Sequence, residues 1–146
     1  MRISNRRAWA IRLAVIPLAI LAGIWFVTGM PGNSWSGPRP PLTDKEQLIH
    51  DNLKRHVAAL AGDIGERNVW RDGSMAAAAA YIRKTLVDAG YTVNVQSFSS
   101  RGVTVNNLEA VLPGTATAEE IIVVGAHYDS VADSPGANDN ASGVAA

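Results

Sequence analysis

The stretch that decides the fold is IIVVGAHYDSVADSPGANDNASG, residues 121–143. Its first five residues form a continuous apolar run rich in β-branched side chains, which predicts a strand covered on both faces. His127, Asp129 and Asp139 follow, crowded at the predicted carboxyl end of that strand. Open α/β sheets bind their ligands at this end of their strands. The stretch therefore predicts an α/β protein with a polar site beside the strand Ile121–Gly125.

The three polar residues suit a zinc site. Imidazole is a common zinc ligand, and a strand end fixes the orientation of the His127 ring. Asp129 lies on the same side of an extended chain, so its carboxylate is placed to support the ligand rather than compete with it. Asp139 lies in a loop of small residues that allows close approach to an ion, and one carboxylate can bridge paired hydrolytic metals. Taken singly, each residue also fits an ordinary structural or turn role.

The combination resembles the co-catalytic zinc exopeptidases of the aminopeptidase Y, glutamate carboxypeptidase and glutaminyl cyclase superfamily. Their pattern is a strand, then His-x-Asp-Ser, then a Pro-Gly-Ala-Asp/Asn-Asp-Asn-Ala-Ser-Gly loop. This chain matches it at HYDS (127–130) and PGANDNASG (135–143). The resemblance extends over roughly residues 46–146. It implies the amino-terminal part of a three-layer α/β/α fold with a mixed sheet.

Site roles are implied by the resemblance, position by position. His127 corresponds to a terminal ligand of one zinc, Asp139 to the carboxylate that bridges two Zn²⁺ ions, and Asp129 to the acid that supports the site. A cis peptide bond after Asp139 is also implied, with its carboxylate facing the His127 imidazole. The pattern further requires a Glu-Glu pair, an Asp and a His, none of which follows Asp139 in this sequence. Glu119-Glu120 precedes the strand and is expected to be solvated.

The implied activity is zinc-dependent hydrolysis of peptides or small amides, most commonly the removal of single residues from a free amino terminus. Carboxypeptidase, dipeptidase and glutaminyl cyclase activities use the same zinc ligands. Because the general base and three ligands are missing, the 146-residue polypeptide by itself is expected to be inactive. The alternative is a non-catalytic ectodomain that keeps this fold for binding, and the retained His127 and Asp139 argue against it.

The amino terminus predicts export. Residues 1–12 form a basic segment with four arginines, residues 13–30 are strongly apolar, and residues 31–42 form a Pro/Gly-rich linker. Arginines before an apolar segment predict a cytoplasmic amino terminus, so the domain at 43–146 is expected on the non-cytoplasmic side of the inner or plasma membrane. We expect residues 13–30 to be a single transmembrane or signal-anchor helix. Secretion after signal-peptide cleavage is the alternative.

The remaining pattern predicts two helices and a hairpin. Thr43 and Glu46 form a capping box for a helix that Gly62 ends, and Asp72 or Ser74 caps a helix through Met75–Ala89 before Gly90. Two alternating segments, Tyr91–Phe98 and Val103–Leu112, predict a hairpin. The resemblance implies that a later strand separates this hairpin from Ile121–Gly125. One or both edges of Ile121–Gly125 should then be unpaired or paired unnaturally here.

The composition argues against nucleic-acid partners and against cysteine-based sites. The formal net charge is zero, and without the four arginines of residues 1–12 nine basic residues face thirteen acidic ones. No basic stripe remains, so a nucleic-acid partner is not expected. The chain has no cysteine, which excludes disulfides and cysteine–zinc sites.

Overall fold

The computed structural model describes residues 5–29, 32, 36–117 and 119–146. Residues 1–4 of the predicted basic segment, Met30, and residues 31 and 33–35 of the predicted linker lie outside the described residues. The chain divides into two compact units, Met1–Pro40 and Pro41–Ala146. The predicted domain boundaries at 12, 30 and 42 stay predictions.

The first unit contains one helix, α1 (Asn5–Thr28), with Pro17 inside it. Large apolar side chains along it are exposed, among them Leu18, Leu21 and Trp25. A membrane span needs about 20 consecutive, mostly apolar residues. Over the residues that the structure describes, no helix is both long and apolar enough to meet that requirement. The predicted helix is therefore observed over residues 13–28, and the predicted transmembrane span is not confirmed.

The second unit begins with the predicted capping box, which is confirmed. Helix α2 (Asp44–Val57) starts after Thr43, whose hydroxyl accepts from the Glu46 N–H at 3.4 Å, while Glu46 Oε2 accepts from the Thr43 N–H at 2.8 Å. These hydrogen bonds satisfy main-chain donors that the first helical turn leaves unpaired. The Thr43 N–H and the Thr43 hydroxyl both donate to Glu46 Oε2, and they hold the pKa of Glu46 below its ordinary value because they favour the charged carboxylate.

The end of this helical segment differs from the prediction. After α2 the chain continues as a wider π-helical turn, Ala58–Ile64, and the Gly65 N–H donates to Leu60 O at 3.1 Å. Gly65 has φ 78° and ψ −132°, a conformation that strongly favours glycine. The helical segment therefore ends at Gly65 rather than at Gly62.

Helix α3 (Ser74–Asp88) confirms the predicted second helix, but its start is built differently. No side chain caps it, and the residue before it is Gly73, at φ 71°. The buried Ser74 hydroxyl instead donates to the carbonyls of Asn68 and Arg71, at 3.2 and 2.9 Å. Ser74 therefore fastens the preceding loop rather than the helix terminus. Gly90 has φ 92° just past the other end, as predicted.

The predicted hairpin is confirmed. Strands β1 (Val93–Ser100) and β2 (Val103–Ala110) pair antiparallel, with Ser100 opposite Val103. The loop is two residues, Arg101 and Gly102, with φ values of 51° and 82°. Two consecutive positive φ values are the signature of the tight turn whose twist matches that of the paired strands. Helix α3 contacts both strands.

The predicted strand Ile121–Gly125 does not form. This segment has no regular secondary structure, and Ile121, Ile122, Val123 and Val124 are 86 to 93% exposed. A strand requires neighbours for its main-chain groups, and the sheet of the described residues consists of β1 and β2 alone. The unpaired edges are as expected, whereas the burial predicted from the β-branched run is wrong. The observed architecture is thus α/β only in the broad sense of helices beside a two-stranded sheet.

The core of the second unit lies under the end of the chain. Leu60, Ala78 and Ala141 are buried together, from the π-helical turn, α3 and the turn Ala137–Ala141. The small alanine side chains of α3 allow close approach. A short helix, α4 (Ser142–Ala145), follows the turn. The core therefore supports the loop that carries Asp139.

Candidate metal centre

His127 and Asp129 project from an irregular but alternating segment. His127 and Asp129 are exposed, whereas Tyr128 is half-buried and Ser130 is buried. This is the two-residue alternation of an extended chain, even though no strand pairs with it. The segment therefore presents the two predicted site residues on the solvent side.

Asp139 reaches the same place from the turn Ala137–Ala141. The Asp139–Asn140 peptide bond is cis, as predicted. Asn140 Oδ1 accepts from the Gly143 N–H at 3.1 Å, which ties the turn to the first residues of α4. The prediction that the Asp139 carboxylate faces His127 is also confirmed, since Asp139 Oδ1 lies 3.0 Å from His127 Nε2.

The His127 imidazole lies between two carboxylates. Its Nδ1 atom is 3.1 Å from Asp129 Oδ1, and its Nε2 atom is 3.0 Å from Asp139 Oδ1. The three side chains are 54, 60 and 76% exposed, in the order His127, Asp129, Asp139. A hydrogen bond from one ring nitrogen to a carboxylate fixes the tautomer and frees the other nitrogen to bind a metal. Asp129 thus has the contact that its predicted supporting role requires.

The two predicted ligands fit one zinc ion as a partial site. Ligand atoms at about 2.0–2.2 Å from a tetrahedral zinc lie roughly 3.3 Å apart, close to the observed separation of His127 Nε2 and Asp139 Oδ1. Zinc takes four ligands, however. Within the part of the chain that the structure describes, no group of three or more His, Cys, Asp or Glu side chains could hold a metal ion. Further ligands would have to come from other groups or from water.

A buried arginine holds the loop beneath this site, and no single sequence pattern marks it. Arg67 follows the π-helical turn and has no exposed surface. Its guanidinium donates to five main-chain carbonyl oxygens, those of Leu60, Gly65, Tyr128, Pro135 and Gly136, at 2.6 to 3.0 Å. Burial lowers the pKa of Arg67, and the neighbouring Asp129 carboxylate partly offsets this by raising it. The only sequence signal was its place in GERN (65–68), a segment within the resemblance.

Two further contacts place the segment that carries His127. The Ser130 N–H donates to Arg67 O at 2.6 Å, and the Arg67 N–H donates to Ser130 Oγ at 3.0 Å. Tyr128 Oη donates to Asn106 O on β2 at 2.7 Å, and burial raises the pKa of this phenol. The segment is thus fastened to the Arg67 loop on one side and to the hairpin on the other.

The remaining histidines have other partners, and the Glu-Glu pair is solvated, as expected. His56 is half-buried, with Nδ1 2.7 Å from Tyr81 Oη, and His50 is exposed beside Asp51. Glu119 and Glu120 are solvent-exposed. These residues have ordinary structural or surface roles.

Comparison with known sequences gives the class of protein. The profile of Peptidase family M28 matches residues 107–146, which include β2 from Asn107 onward and all three predicted site residues. The predicted relation to the co-catalytic zinc exopeptidases is thereby confirmed. The chain is related to metallopeptidases.

Three curated proteins illustrate the relation. Leupeptin-inactivating enzyme 1 of Streptomyces exfoliatus is 33% identical over 144 residues, covering 92% of this chain and 31% of its own length. A probable zinc metalloprotease of Pyricularia oryzae is 42% identical over 77 residues, 47% of this chain and 15% of its own. The probable lipoprotein aminopeptidase LpqL of Mycobacterium tuberculosis is 42% identical over 55 residues, 38% of this chain and 10% of its own. The chain therefore spans less than a third of these relatives, and no solved structure matches it.

Proposed function

We propose that this chain belongs to a zinc-dependent exopeptidase, most specifically an aminopeptidase that hydrolyses amino-terminal peptide bonds. The observation that carries the proposal is the placement of His127 between Asp129 and Asp139. Its Nδ1 atom lies 3.1 Å from Asp129 Oδ1, and its Nε2 atom lies 3.0 Å from Asp139 Oδ1. The names of two relatives, a probable zinc metalloprotease and a probable lipoprotein aminopeptidase, support the choice of metal and of reaction. Peptides or small amides are the proposed substrates.

His127 and Asp139 would hold the metal, and Asp139 has a second carboxylate oxygen for a second Zn²⁺. When bound, zinc acidifies a water molecule and stabilises negative charge on the scissile carbonyl oxygen. Asp129 would accept the Nδ1 proton of His127, keep Nε2 free of a proton and fix the ring plane. The exposure of all three side chains leaves room for a substrate to approach.

The finer architecture is part of the same proposal. We propose that the complete protein has the three-layer α/β/α fold with a mixed sheet, in which additional strands cover Ile121–Gly125. The 146 residues alone are proposed to be inactive, because two donors do not complete a zinc site.

Zinc dependence tests the activity directly. We expect the complete protein to release the first residue of unblocked peptides, to lose that activity in a chelator and to regain it with Zn²⁺. A peptide with an acetylated amino terminus is the matched control and should resist cleavage. Activity that survives the chelator would contradict the zinc dependence. Complete inactivity with zinc present would contradict the proposed reaction and favour a binding ectodomain.

We also propose that the second unit, Pro41–Ala146, works on the non-cytoplasmic side of the membrane. The support is the order of the sequence, with four arginines before the apolar residues 13–30. Alkaline phosphatase fused after Pro41 should be active, because this enzyme requires export, and a fluorescent protein that folds only in the cytoplasm should stay dark. The opposite pair of results would show that the unit remains inside.

A further inference from the structure

The His127–Asp139 pair receives little support from its own side chains. Both residues are more than half exposed, so packing around them does not fix their separation. A metal site needs its ligands held in place before the ion binds. The restraint must therefore come from the main chain beneath them, residues 128–136, which connects His127 to the turn that carries Asp139.

Arg67 supplies this restraint at both ends of the segment. Its Nε donates to Tyr128 O, the carbonyl between the two residues His127 and Asp129. Its Nη1 and Nη2 atoms donate to Pro135 O and Gly136 O, four and three residues before Asp139. Gly136 O in turn accepts from the Ala141 N–H at 3.0 Å and so closes the turn around Asp139. One planar guanidinium thus sets the distance between the two ends of the loop.

The same guanidinium is also hydrogen-bonded to the π-helical turn Ala58–Ile64 and the residue that follows it. Nη1 also donates to the carbonyl oxygens of Leu60 and Gly65. A hydrogen bond from the Gly65 N–H to Leu60 O joins the same two residues and ends the π-helical turn. Leu60 belongs to the buried core. The loop is therefore tied to the buried core of the unit.

We propose that Arg67 is a positioning residue for the metal centre, one that sets the separation of His127 and Asp139 through the carbonyls of residues 128, 135 and 136. The proposal rests on the proposed function, because it assumes that these two side chains bind a metal. Arg67 has no contact with the metal ligands' side chains. It acts through main-chain geometry, and its charge also interacts with the Asp129 carboxylate.

The test compares Arg67→Lys with Arg71→Lys in the complete protein. Lysine keeps the charge but has three donors on one atom instead of five in a fixed plane. Arg71 lies in the same loop with an exposed side chain, so its variant is the matched control. Co²⁺ serves as the probe, because its visible absorption reports coordination geometry. We expect Arg67→Lys to weaken Co²⁺ binding by about 10- to 100-fold and to change the spectrum, with kcat falling more than KM rises. Arg71→Lys should match the wild type.

A metal-free measurement completes the test. In the absence of metal, amide hydrogen exchange should accelerate in residues 128–141 of Arg67→Lys but not in α2. Gly136→Ala should likewise weaken Co²⁺ binding and accelerate exchange in residues 128–141, since an added Cβ would lie 3.0 Å from Arg67 Nη2 and 2.6 Å from Asp139 O. This variant tests the contact from the loop side if Arg67→Lys folds poorly.

The outcomes separate the two proposals. If Co²⁺ binds the wild type and both variants with one affinity and one spectrum, Arg67 has only a structural role and the inference is overturned. If the wild type binds no Co²⁺, the proposed function fails. In that case the exchange data test whether Arg67 holds the loop. Unchanged exchange in residues 128–141 of Arg67→Lys would reject the inference.

Discussion

Replacing His127 with alanine is expected to lower kcat/KM of the complete protein by about a thousandfold or more. A metal ion contributes several kcal/mol to the stabilisation of a hydrolytic transition state, and each 1.36 kcal/mol corresponds to a factor of ten. Loss of the imidazole removes one of two donors that lie 3.0 Å apart. Asp139→Asn should have an effect of similar size, because the amide keeps the shape but loses the charge that attracts the cation. Peptidase assays with bound zinc measured in parallel would check both.

The chain offers a matched control for this substitution. His50 is also an exposed histidine beside an aspartate, with Nδ1 3.0 Å from Asp51 Oδ1, but no second carboxylate among the described residues pairs with its other nitrogen. His50→Ala should leave activity and zinc content unchanged. Equal activity in His127→Ala and His50→Ala would remove His127 from the site.

The second large effect is on stability. Arg67→Met is expected to lower the free energy of unfolding by about 3–5 kcal/mol, because removal of a buried charged partner leaves its acceptors unsatisfied. Five main-chain carbonyls lose a donor, and methionine offers none in return. A domain of this size is stable by only about 5–15 kcal/mol, so the loss takes a large share of the total. Urea denaturation of the full chain followed by circular dichroism measures it.

Arg71→Met serves as the comparison, since it makes the same chemical change on the exposed side of the same loop. We expect it to alter the unfolding free energy by less than about 0.5 kcal/mol, as is usual for surface substitutions. A loss below about 1 kcal/mol in Arg67→Met would mean that water replaces the guanidinium at these carbonyls without penalty.

The elements that depend on contacts between residues close in the sequence could be predicted from the sequence pattern. The capping box needs only Thr43 and Glu46, and the hairpin turn needs only a short loop that ends in Gly102. The helix that became α3 follows from an alanine-rich sequence with high helix propensity before Gly90. The contacts of each element lie within a few residues, so the sequence pattern contains most of the information.

Some features of the candidate site could be predicted from the sequence, and others depend on the tertiary structure. Residue chemistry and spacing, with the family resemblance, determined His127, Asp129 and Asp139 and the direction in which Asp139 faces. Tertiary structure alone decided that Arg67 holds the intervening loop, since its five acceptors are spread from residue 60 to residue 136. It also decided that Ile121–Gly125 is not a strand, because a strand forms only where partners satisfy its main-chain groups. A β-branched run specifies a preference for pairing, and only the rest of the fold supplies the partner.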